Sequence, residues 1–239
     1  MPEIRELSDY AAAIAPVINA AHVNVHASAR GAITELAETA GVSPGLLVDL
    51  RFALPLRPVT RTGLGTIYRY HDAAGRETEI QEHLREGTLA EDRDGVLRAT
   101  GPGLEFIRKL YEAHGAAAER IGTGQDLPRL ARLAGRVLDG AERLPGGALE
   151  LVAPPYEPEG SGPGLLLFNR LAVLRYHRAD AHARAWQAEG LSATEIVGLR
   201  DGPVRARIEA ETNLRAALPY QVLTEDERQT LYDGLLRLI

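Results

Sequence analysis

The chain contains no cysteine, and only one lysine, one methionine and one tryptophan, in 239 residues. Without cysteine there are no disulfides, thiolate nucleophiles, Cys-ligated zinc or iron–sulfur clusters. No apolar run approaches the roughly 18 residues of a membrane span, and the opening MPEIRELSDY lacks the apolar stretch of a secretory leader. The expectation is a cytoplasmic protein with no membrane partner. Familiar catalytic signatures are also missing. RTGLGT holds Gly63 and Gly65 but no following Gly-Lys-Ser/Thr, no glycine-rich segment stands between a strand and a helix, and no G-x-S-x-G elbow occurs. No cofactor is expected.

Of the 27 cationic side chains all but Lys109 are arginine, and 33 acids leave a net charge of −6. A negative total disfavours nucleic acid, whose phosphates supply most non-specific affinity. The distribution is uneven, however. Arg51, Arg57, Arg61, Arg69 and Arg76 share a window with one acid, Asp72, a local charge of about +4 that reads either as a phosphate-contacting surface or as a solvated loop.

Alanine-dense residues 8–40 read as helix, capped by Ser8 or Asp9, with Pro16 and Gly31 as expected kinks or breaks. GVSPGLLVDL restarts a helix with Ser43 as N-cap and Pro44 at its first position. TIYRYH alternates like a short strand. GRETEIQEHLREG is a short amphipathic helix, and TLAED–RDG–VLRAT is a hairpin around Asp94–Gly95. A further helix follows Pro102. Beyond a helix at 126–144 and a Pro/Gly-rich connector, LLLFNRLAVLRYHRADAHARAW is apolar on nearly every face at first and is expected to be buried. Ser192 with Glu195, and Thr224 with Glu227, are spaced as capping boxes.

This order of elements is that of a winged helix-turn-helix domain. RYHRADAHARAW, GLSATEIVGL, IEAETNLRAALPY and LTEDERQTLYDGL together resemble an actinobacterial group of helix-turn-helix proteins that is loosely MarR-like. That group has a similar H-R-x-D-x-H helix and a wing ending in an L-T-x-x-G-like turn, matched here by Thr100 and Gly103. The resemblance implies a winged-helix fold and transcription regulation. The expected architecture is mainly α, with a winged-helix domain at 8–120 carrying a small β-hairpin wing, and a helical domain at 125–239.

Candidate residues fall in three sets. Arg51, Arg57, Arg61 and Arg69 would contact DNA phosphates, with Arg93 on the wing approaching a groove. Tyr176, His177, Arg178, Asp180, His182 and Trp186 would line a ligand pocket, or form a buried polar network in which Arg178 pairs with Glu209 or Glu211. His22 and His26, at i and i+4, share a helix face and could ligate a metal only with a third ligand, so no metal is expected. Two functions follow: a DNA-binding regulator whose C-terminal helices sense a small-molecule effector or form a homodimer, or a small-molecule-binding protein or enzyme on a winged-helix scaffold. In the second, Asp180 would orient His177 or His182 as a general base. The predicted recognition helix, with Glu77, Glu79, Glu82 and Glu86 against two arginines, favours the second, while the basic 51–76 window favours the first, which is the leading expectation.

Overall fold

The computed structural model describes residues 4–239. Leu7, Ala11, Ile14, Ile18, Ala21, Val25 and Ala29 recur at helical spacing and are all buried. That stripe holds residues 4–40 in one unbroken helix, α1 (Ile4–Ala40), packed on later helices. The expected breaks do not occur. Pro16 and Gly31 sit on the exposed side, where tertiary packing of the opposite face outweighs their poor helix propensity. Ser8 and Asp9 lie inside the helix rather than at a cap.

The remaining elements are α2 (Gly45–Asp49), β1 (Val59–Thr60), α3 (Arg61–Ile67), α4 (Ala73–Arg85), β2 (Leu89–Glu91), β3 (Val96–Ala99), α5 (Gly101–Ile121), α6 (Leu127–Asp139), α7 (Ala148–Val152), α8 (Pro163–Ala188), α9 (Ala193–Gly198), α10 (Pro203–Ala217), a 3-10 helix (Leu218–Val222) and α11 (Glu225–Leu236). The fold is mainly helical with one small antiparallel sheet in the order β1-β3-β2. The hairpin pairs Leu89 with Ala99 and Glu91 with Leu97, and its turn places Gly95 at φ +73°, a conformation that favours glycine. Both expected capping boxes form.

Two local readings are corrected. Thr66–His71 is not a strand: Thr66 and Ile67 end α3, which Thr60 caps, and the strand of this region is Val59–Thr60. Ser43 does not cap α2, since Pro44 occupies that position and the Ser43 hydroxyl and amide both donate to Glu86.

One buried cluster runs from α1 through Phe106 of α5, Val137 of α6 and Phe168 of α8 to Leu235 of α11, and so draws on both 8–120 and 125–239. A smaller cluster joins Trp186 to Ile196 and Ile208. Helix α8 is the central rod, buried nearly all round over Leu165–Leu174. Helix α11 closes on α6 through Gly234, where an added Cβ would stand 2.4 Å from a Leu130 methyl. Gly234→Ala is therefore expected to cost about 1–3 kcal/mol through overpacking, read as a lower urea midpoint at unchanged slope. An unchanged midpoint would contradict this close approach.

Candidate ligand-binding site

Beyond Leu174 the α8 sequence turns polar, and helical periodicity deals its side chains to two opposite grooves. Arg175, Arg178 and His182, at i, i+3 and i+7, face a groove of about 390 Å³ between α1, α8 and α10. Asp180, Arg184 and Gln187 face a second, of about 470 Å³, bounded by α3 and the 144–147 turn. The six residues expected to form one pocket are thus divided. His177, Arg178 and His182 line the first groove, and Asp180 and Trp186 the second. Tyr176 lines neither. It packs beside Phe52 at 6.1 Å between ring centroids, and burial pushes its hydroxyl up to about 12.

The first groove has an apolar wall from α1, including Ala11, Ala15 and Ile18, and a polar wall from α8 and α10. Arg178 donates to Asn213 at 2.8 Å and stands 3.6 Å from Glu209, the partner expected from sequence. Its Nη1 is buried without a hydrogen-bond partner among the described residues. The His182 ring lies 2.9 Å from the Tyr70 hydroxyl, which accepts from Trp186 Nε1 at 3.2 Å. Indole can only donate, so the Tyr70 oxygen accepts there, and the other ring nitrogen of His182, Nε2, stands 3.9 Å from Glu209. Among the described residues, the His177 imidazole and the Tyr220 hydroxyl have no hydrogen-bond partner, and both belong to the groove lining. Burial lowers the pKa of His177 and of His182, which keeps both rings neutral near pH 7. With Glu209 set against Arg175 and Arg178, the lining carries a net positive charge.

Asp180 does not orient either imidazole. Its carboxylate accepts from the Ala148 and Leu149 amides at 2.9 and 2.8 Å and from Arg69. It caps α7 from a neighbouring helix, a position where Gly147 offers no side chain. With both oxygens engaged, the general-base arrangement expected for the enzyme reading is not formed.

The arginines expected on DNA are, apart from Arg93, committed to partners within the chain. Arg51 is 1% exposed, its guanidinium 4.2 Å from the Phe168 ring centroid and donating to Val48 O at 2.8 Å. Arg57 donates to the carbonyls of Ala153 and Pro154 at 2.6 and 2.8 Å. Arg61 grips Glu77 with two bonds and also meets Glu91. Arg69 is held by Asp180. Arg93, at the hairpin tip, is exposed and makes no ion pair among the described residues. Charge counting cannot find these commitments, because the partners of Arg57 and Arg69 lie about a hundred residues away in sequence.

His22 and His26 share a face as expected, with ring centroids 4.6 Å apart; His22 stacks on Phe168 and His26 meets His114 edge-on. Their lone pairs do not converge. His22 Nδ1 accepts from Arg175, and His114, whose Nδ1–H donates to Leu110 O, accepts from His26 at Nε2. No group of three or more metal-ligating side chains is placed to hold an ion among the described residues.

Compared with family models, curated proteins and solved structures, the chain has no match.

Proposed function

We propose that the chain is a small-molecule-binding protein that seats a small organic anion in the groove between α1, α8 and α10. The observation that carries this reading is the pairing of unpartnered polar groups, His177 and the Tyr220 hydroxyl, with an apolar wall in one concavity of net positive lining. The volume falls in the range of small-ligand sites, roughly 300–1,000 Å³. An acidic head group would lie against Arg175, His177 and Tyr220, while a hydrocarbon body would cover Ala11, Ala15 and Ile18. Neutral imidazoles suit this task, because they donate to an anion without carrying a desolvated charge.

Titration with hexanoate, followed by imidazole NMR signals, tests the reading. Saturable shifts of His177 and His182 are expected, with a dissociation constant of about 1 mM or tighter. Tyr220→Phe keeps the packing on Tyr10 and is expected to weaken binding several-fold, about 1 kcal/mol for one hydrogen bond. Absence of any saturable shift would remove the groove from consideration.

A second reading, a DNA-binding regulator, is supported by the element order. Helix, strand, two helices and a hairpin, with β3 central in the sheet, follow the winged-helix pattern, and the hairpin tip carries the free Arg93. A mobility shift with bulk duplex at about 50 mM salt, and a log–log salt slope of about −0.9 per phosphate contacted, are what that reading requires. No shift under those conditions ends it.

A further inference from the structure

We propose that the second groove, on the opposite side of α8, is an independent site for a phosphate group, free or carried on a small molecule. Its floor is made of residues with little or no side chain, Gly65, Gly146, Gly147 and Ala183, so a ligand can approach the backbone closely. Gly147 is fixed by space: an added Cβ would stand 2.7 Å from Asp180 Oδ2 and 2.9 Å from Leu144 O.

The charges around this floor favour an anion. Arg69 and Asp180 cancel each other, and the Asp180 carboxylate is further saturated by two backbone amides. Arg184 lines the groove and makes no hydrogen bond or ion pair among the described residues. Arg76 stands at the rim, 4.0 Å from the position of a Cβ on Gly65, and is likewise without an ion pair. The Arg184 guanidinium therefore lines the concavity without a carboxylate partner among the described residues, and Arg76 adds a second cation near its edge, a charge that suits a phosphate. Guanidinium forks fit phosphate oxygens in a bidentate manner. The Thr62 hydroxyl and the Gln187 amide, both in the lining and without a hydrogen-bond partner among the described residues, supply neutral contacts for the remaining oxygens. The apolar wall of the first groove has no counterpart here, so the two sites select different chemistry and share no lining residue.

Trp186 is the only tryptophan in the chain and lines this groove, so its emission reports occupancy directly. The full chain is titrated with inorganic phosphate and with glycerol 2-phosphate, each against sodium chloride at matched ionic strength. A saturable change in Trp186 emission is expected from at least one probe. Response to inorganic phosphate alone assigns the site to the free ion, and response to the ester assigns it to a phosphorylated small molecule. Arg184→Gln, at an exposed position that leaves the fold intact, is expected to raise half-saturation about tenfold, the loss of one charge-assisted contact. Arg178→Gln, which lies in the first groove, is expected to leave it unchanged, and this separates the present site from the one proposed above. The proposal is overturned if neither probe exceeds the chloride control, if Arg184→Gln titrates like the unaltered protein, or if only duplex DNA changes the emission.

Discussion

Several kcal/mol of stability are expected to disappear between about pH 6.5 and about pH 5, ahead of the main carboxylate titrations. The cause is the buried histidine group around Phe168. Burial holds His26 down at about 3 and His114 at about 2, and lowers His22 well below its ordinary value, with the Arg51 cation adding to each effect. Among the described residues no carboxylate is bonded to Arg51, and the nearby charge of Asp49 does not outweigh the burial that lowers the Arg51 pKa. All three rings are neutral in the fold, while in the unfolded chain they take up protons near pH 6.5. A folded pKa below the unfolded one means that the unfolded state binds protons first as pH falls. The stabilisation is therefore complete above about pH 6.5 and is lost progressively below it.

Each such group contributes a slope of up to about 1.4 kcal/mol per pH unit, so three give about 4 kcal/mol per unit at most. His83, His177 and His182 are lowered in the same direction and steepen the loss. Against a typical reserve of about 5–15 kcal/mol, that slope brings the fold close to its limit near pH 5. Urea midpoints measured from about pH 8 down to about pH 5 check it, and a flat series would show that the imidazoles are not buried in their neutral form. His114→Asn, which removes one titrating ring, is expected to reduce the slope.

Elements governed by local chemistry were legible in the sequence. The hairpin follows from Asp94–Gly95, and the two capping boxes follow from Ser192 with Glu195 and Thr224 with Glu227. Burial of α8 could be read from apolar residues on every face, and the Arg178–Glu209 contact from the need of a half-buried cation for a partner. Long-range commitments were not legible. Alternation in TIYRYH imitates a strand, but the edge partner of β3 is the two-residue Val59–Thr60, too short to carry any period. Pro16 looks like a helix break until the α1 stripe is seen packed on α5, α8 and α10. The arginine window looks like a basic surface until its partners are known. The division of α8 between two grooves did have a sequence signal: 175, 178 and 182 repeat on one face, and 180, 184 and 187 on another.

The same division places Asp180 where one substitution disturbs the most structure. Asp180→Ala is expected to lose about 3–5 kcal/mol, the cost of leaving one member of a buried charge pair alone. Asp180 and Arg69 are 6% and 14% exposed at their side chains, so solvent screens the pair little. The substitution also uncaps α7, because the Ala148 and Leu149 amides have the Asp180 carboxylate as their acceptor. These two losses can be separated. Adding Arg69→Met to Asp180→Ala removes the stranded cation and is expected to recover part of the stability, while the uncapped amides keep the double variant below the unaltered protein. Asp180→Asn retains one good acceptor and is expected to fall between. Urea unfolding of these proteins, with Arg69→Met alone beside them, decides the matter. A midpoint for Asp180→Ala within error of the unaltered chain, or a double variant weaker than either single change, would mean that this carboxylate does not hold α3, α7 and α8 together.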